Sequence, residues 1–190
     1  MGKKAVLIVD MLNDFVRKDG ALYVPGAENI VENIGKIRGT AGESNVLVIY
    51  ANDSHDPYDK EFEQWPRHAV RTSYGAEVYE ELKPEEKDII IEKQTLSAFS
   101  NSDLERILKK EGVDTLIITG VATEYCVKEA ALGSRERDFE AYVVVDAIAG
   151  VDLQAGDQYK ALVEMGLKGV RPVYTKQVLE ELLWLHLKKW

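Results

Sequence analysis

Six short apolar runs rich in β-branched residues recur along the chain, separated by segments with helical spacing. They are Ala5–Val9, Val46–Ala51, Asp88–Glu92, Thr115–Thr119, Ala141–Val145 and Gly169–Tyr174. Each is nearly continuous in hydrophobicity rather than alternating, the pattern of strands buried on both faces. Between them Ile30, Ile34 and Ile37 share one helix face. So do Leu104, Ile107 and Leu108, with Asp103 early and Lys109-Lys110 late, as the helix dipole favours. Strand alternating with helix predicts a three-layer α/β/α fold around a six-stranded parallel sheet, Rossmann-like in plan. A length of 190 residues suits one domain, 1–190, and no repeat, low-complexity tract or linker divides it.

The balance of charge narrows the partners. A formal net charge of -9 repels nucleic acid and anionic membranes, so neither is expected. No apolar stretch is long enough to span a bilayer. The N-terminal run lacks a cleavage site of small residues and reads as a buried strand, not a signal peptide. A single cysteine cannot form an internal disulfide, and a cytoplasmic location is the default expectation.

In open parallel sheets, ligands bind beyond the carboxyl ends of the strands. Asp10 follows the first run, Asp53 and His55 the second, Lys93 the third, and Gly120 to Cys126 the fourth. All the unusual chemistry thus falls on one edge of the sheet. Cys126 lies just after a strand, where a helix starting near Thr123 would favour a thiolate and offer N–H groups to an oxyanion. A cysteine nucleophile needs a base, and Asp10 can take and return its proton beside the Lys93 ammonium. Taken singly, Asp10 reads equally well as a loop cap and Lys93 as a solvated surface lysine. Asp53-Ser54-His55 and the later Trp65-Pro66-Arg67-His68 offer two histidines and a carboxylate to a divalent metal, a weak signal on spacing alone. They sit in an irregular stretch, Asn52 to Ser73, too long to be a plain connection. Lys83 to Lys87 reads as a solvated charged turn. His186, in the apolar stretch that ends at Trp190, is too far along the chain to join the strand ends. That stretch is expected to pack on the domain or on a second subunit.

Three segments together carry a family resemblance: Val9-Asp10-Met11-Leu12-Asn13-Asp14-Phe15, Glu92-Lys93, and Gly120-Val121-Ala122-Thr123-Glu124-Tyr125-Cys126-Val127. Together they resemble the isochorismatase-like cysteine hydrolases, which include nicotinamidases, N-carbamoylsarcosine amidases and isochorismatases. The Cys126 motif is nearest the nicotinamidase form, and Ser97 to Leu104 also fits the pattern, with Ser or Thr opening a helix. The resemblance implies a catalytic triad of Asp10, Lys93 and Cys126, and hydrolysis of a small-molecule amide through a thioester, nicotinamide first among the substrates. It implies a cis peptide before Ala122, whose N–H joins that of Cys126 in an oxyanion hole. It implies a divalent metal, zinc in first place, on Asp53, His55 and His68, holding the ring nitrogen of nicotinamide. It implies Phe15 and Trp65 on either side of a flat ring, with Tyr125 nearby, a homo-oligomer of two or more subunits, and a place in NAD salvage. Ala69 stands where nicotinamidases usually have Cys, and Leu12 where they usually have Gln. These departures leave open another small amide or carbamoyl substrate; separately, an isochorismatase-like reaction and a metal-binding protein without turnover stay as alternatives.

Overall fold

A computed structural model describes residues 2–100 and 103–183. The expectations for Trp184 to Trp190, His186 included, and for Asn101 and Ser102 lie outside the described residues. Six parallel strands form one sheet: β1 (Lys3–Val9), β2 (Leu47–Asp53), β3 (Ile89–Lys93), β4 (Val113–Val121), β5 (Glu140–Ala149) and β6 (Arg171–Val173), in the order β3-β2-β1-β4-β5-β6. The helices are α1 (Asn13–Val16), α2 (Val31–Glu43), α3 (Leu104–Glu111), α4 (Lys128–Arg135), α5 (Asp157–Leu167) and α6 (Thr175–Gln177). The expected architecture is present, and each expected run coincides with a strand.

β1 explains why the sheet needs two layers of helix. Ala5, Leu7 and Val9 point into one core with Leu104 and Leu108 of α3 and Met165 of α5. Val6 and Ile8 point into the other with Ile34 and Ile37 of α2. With both faces covered from Ala5 onward, β1 carries only apolar residues there, its two lysines lying at the open amino end. β3 departs from that reading. It is an edge strand whose Ile90 and Glu92 are exposed while Ile91 and Lys93 are buried, so it alternates as a half-covered strand must. Ile30 closes a 3-10 turn ahead of α2 rather than lying within it.

The strand order reverses between β1 and β4, and the crevice at that switch point opens at their carboxyl ends. The irregular chain after β2 is pinned there from both sides. Tyr50 OH donates to the Leu82 carbonyl (2.7 Å), Asn13 N–H to the Glu77 carbonyl (2.9 Å) and Tyr79 N–H to the Met11 carbonyl (2.8 Å). On β5 the register slips, from Ile118 opposite Val143 to Gly120 opposite Ile148. This brings Ala149 beside Val121 and carries the following loop to the mouth of the crevice.

Gly120 makes the close packing of β4 on β1 possible. Its φ is +110°, and a Cβ there would lie 2.0 Å from the Val9 carbonyl oxygen. Gly120→Ala therefore combines backbone strain with a collision against a central strand, and is expected to cost about 2–5 kcal/mol in urea unfolding. Gly156→Ala, at φ +90° but facing open space, is the control and should cost about 1–2 kcal/mol.

Candidate active site

β1 ends at Val9, and Asp10 follows in the left-handed region (φ 51°), which aims its carboxyl across the strand ends. Its Oδ1 accepts from the Asp53 N–H (2.7 Å). Asp53 and Lys93 are the last residues of β2 and β3 and lie opposite each other in register. The pairing sets the Lys93 ammonium against Asp53 Oδ1, and from there it reaches Asp10 Oδ2 (2.8 Å) and Cys126 Sγ (3.4 Å). All four side chains are buried, Asp10 at 1 % exposure and Lys93 at 2 %. The solvated lysine that the sequence leaves open is thereby excluded.

The electrostatics follow from this packing. Burial pushes the Asp10 carboxyl up to about 6, helped by the charge of Asp53 and opposed by Lys93. Burial also disfavours the charged form of Lys93, but Asp10, Cys126 and Asp53 outweigh it and hold the ammonium well above its ordinary value. Asp53 is likewise opposed by burial, yet Lys93 and His55 keep its carboxyl below the usual range. Cys126 departs from the expected thiolate. Burial raises the thiol well above its ordinary value, and Asp10 and Asp53 add to that against the one ammonium. The local fold agrees. Thr123 is not the helix cap; Ala122 occupies that place, and the Thr123 hydroxyl is buried without a partner among the described residues. Tyr125 leaves helical geometry (φ -118°, ψ -108°), and the regular helix starts only at Lys128. Cys126 thus sits in a distorted turn before α4, not in a helix's first turn. The Val121–Ala122 peptide is cis.

The second cluster lies a few ångströms away. Asp53 Oδ2 is 3.8 Å from His55 Nε2 and 4.0 Å from His68 Nε2. The other ring nitrogens are engaged: His55 Nδ1 donates to Asp59 Oδ2 (3.0 Å) and His68 Nδ1 to the Pro66 carbonyl (2.6 Å). Such partners fix the tautomer and aim Nε2 inward, as metal-binding histidines require. His55 is wholly buried and its Nε2 has no hydrogen-bond partner among the described residues, an orphan that a cation would satisfy. Although burial opposes it, Asp53 and Asp59 pull the His55 imidazolium up to about 9, so the cluster favours positive charge. These donors fit a divalent ion of the zinc type.

Both clusters open into one cavity of about 140 Å³. Asp10, Ala122 and Cys126 lie at one end, Asp53 and His68 at the side, and Phe15, Trp65 and Tyr125 in the walls. Trp65 meets Tyr125 edge-on at 5.7 Å and Phe15 lies 5.5 Å from the His68 ring. Of the candidate site residues all but Lys93 and His55 line this space; Lys93 touches Asp10 and Cys126, and the His55 ring lies 5.0 Å from that of His68. The sequence reading missed several others. Glu61 faces the metal cluster, 4.0 Å from His68 Nε2, and Asp59 supports His55. Asp14 accepts from Ala21 N–H with one oxygen (3.2 Å) and from Ala69 N–H with the other (2.8 Å). It thereby ties the wall formed by Leu22, Tyr23 and Val24 to the turn after His68. Arg71 grips Ser54 and Asp56 on either side of His55. Only Asp14 had a signal, its place one residue before Phe15.

Residues 4–177 match the model of the isochorismatase domain. A probable inactive nicotinamidase of Arabidopsis thaliana is 31% identical over 156 residues, 76% of this chain and 80% of that protein. The nicotinamidase of Escherichia coli is 27% identical over 212 residues, 95% of this chain and 99% of its own. Among solved structures, the pyrazinamidase of Pyrococcus horikoshii in complex with zinc superposes with a TM-score of 0.84 at 33% identity, over 90% of this chain and 99% of that one. With its sheet order, its strand-end cluster and a domain match over nearly its whole length, the chain belongs to the isochorismatase family of hydrolases.

Proposed function

We propose that the protein is a cysteine amidohydrolase acting on a small uncharged aromatic amide, with nicotinamide as the substrate that fits best. One observation carries the reading: a thiol, a carboxylate and an ammonium in mutual contact at the end of a small cavity walled by aromatic and aliphatic side chains. A cavity near 150 Å³ holds a benzene-sized ring. Phe15 and Trp65 offer ring faces to it. Among the described residues the wall carries Asp10, Asp53 and Glu61 but neither Arg nor Lys. A substrate bearing its own carboxylate, such as a carbamoyl amino acid, would enter that field with no Arg or Lys on the wall to pair it. This favours nicotinamide over the carbamoyl alternatives that the sequence leaves open.

In the chemistry that follows, Cys126 Sγ attacks the amide carbon as its proton passes to Asp10. The carbonyl oxygen becomes an oxyanion facing the N–H groups of Ala122 and Cys126. Collapse breaks the C–N bond, and Asp10 returns the proton to the departing nitrogen, releasing ammonia and leaving a thioester. Asp10 then takes a proton from water as the water attacks the thioester. The acid leaves and the thiol is restored by that proton. Lys93 keeps Asp10 and Asp53 together throughout by balancing their charges. Asp53, His55 and His68 would hold a divalent ion, zinc first, with Glu61 beside them. When bound, the ion supplies an anchor for the ring nitrogen of the substrate. Phe15 and Trp65 orient the ring so that the amide faces Cys126.

Ammonia release from nicotinamide by zinc-loaded protein is the direct test, and Cys126→Ala should lower it by about 10⁴-fold or more. Full activity in that variant would remove the mechanism. Against N-carbamoylsarcosine or maleamate, kcat/KM should be lower by about a hundredfold or more. Equal rates would remove the argument from charge. Calorimetric titration should find one zinc per chain, with affinity reduced about tenfold or more in His68→Ala. Lys93→Met leaves two buried carboxylates without their counter-charge and should cost about 3–5 kcal/mol of stability as well as activity.

A further inference from the structure

Two residues before the nucleophile stands a carboxylate that does not line the cavity. Glu124 Oε1 accepts from two consecutive backbone N–H groups, Val151 (2.8 Å) and Asp152 (2.6 Å). Its Oε2 is buried with no partner among the described residues. The carboxylate lies against Gly150, where a Cβ would come within 2.1 Å of Oε2. Position 150 thus leaves room for this side chain and for nothing larger. The register slip on β5 sets up the meeting, since it places Ala149 opposite Val121 and brings the loop after Gly150 alongside the Cys126 segment.

The loop forms one wall of the cavity through Val151 and Leu153. Val151 packs against the core, but Leu153 is 65% exposed and contributes little apolar burial to holding the loop in place. Asp152 is in the left-handed region (φ 55°), a conformation that aspartate tolerates better than most residues. At the far end, Asp152 Oδ1 accepts from Gln158 N–H (3.1 Å) and Asp157 Oδ2 from Gln154 N–H (2.9 Å), fastening the loop to α5. At the end next to the nucleophile the fastening is Glu124. Hydrogen bonds to an ionised acceptor are about twice as strong as neutral ones, and here two converge on one oxygen.

We propose that Glu124 is a positioning residue that clamps the Gly150–Leu153 loop to the Cys126 segment and so sets the width of the cavity, making the site selective for a single ring. The inference rests on the amidase reading for its substrate. The clamp itself is testable without one, because Cys126 is the only cysteine and every alkylation reports on this site. The experiment compares rates of Cys126 alkylation by iodoacetamide and by the bulkier N-phenylmaleimide. Glu124→Ala should raise the maleimide rate relative to iodoacetamide about tenfold, as two charge-assisted bonds are lost. Glu124→Gln keeps Oε1 as acceptor and should hold the ratio near that of the wild type. With nicotinamide, Glu124→Ala should raise KM about tenfold while kcat changes by less than about twofold. An unchanged alkylation ratio in Glu124→Ala, or equal shifts in the Ala and Gln variants, would overturn the clamp. Failure of the wild type to turn over nicotinamide would instead count against the amidase reading, and the alkylation ratio would still decide the role of Glu124.

Discussion

The Lys93 ammonium is the interaction on which the rest of the site depends. It is fully enclosed, and an unpaired charge there would be untenable. Its three neighbours, Asp10, Asp53 and Cys126, come from the ends of β1 and β2 and from the segment after β4. The cation therefore draws three separate parts of the chain to one point. Without it the two carboxylates would repel each other across a distance set by backbone packing. With it they share a counter-charge. Buried ion clusters are costly to build, and here the desolvation of four groups is accepted in exchange for chemistry.

Asp53 extends that cluster into the second. One of its oxygens belongs to Lys93 and the other faces His55 and His68. A carboxylate shared in this way makes the Lys93–Cys126 cluster and the two histidines a single structural unit rather than neighbours. The surrounding residues serve the same end. Asp59 and the Pro66 carbonyl orient the imidazoles, Arg71 holds the chain on both sides of His55, and Asp14 joins the turn after His68 to the opposite wall.

What the sequence discloses depends on which kind of force is at work. The strands were legible because burial on two faces leaves a continuous apolar signature, as in Ala5 to Val9. Asp10, Lys93 and Cys126 were legible because each stands at the end of such a run. Less visible was the edge character of β3, since Ile89-Ile90-Ile91 looks apolar throughout although Ile90 faces solvent. The upward push on the Cys126 thiol was not legible, because proximity to a helix start says nothing of burial or of two carboxylates that come from distant strands. Glu61, Asp59 and Glu124 could not be singled out at all. In a chain with 33 acidic residues their contacts are made by loops, and loops leave no periodic trace.

The pairing of Asp53 with Lys93 across β2 and β3 also bears on how such a chain can change over time. The irregular connection between the two strands is fixed by side-chain bonds from Asp14, Asp59 and Arg71 as well as by backbone bonds. β3 itself is held to one register. Its residues alternate between solvent and interior, and a shift of one position would turn Lys93 outward and present Glu92 or Gln94 to the two carboxylates. Inserting or deleting a single codon within those five residues would therefore replace the central cation with an acid or an amide, while leaving the strand's hydrogen bonds intact. Such a change would strand two buried carboxylates without their counter-charge, so the register of β3 and the stability of the strand-end cluster are tied together.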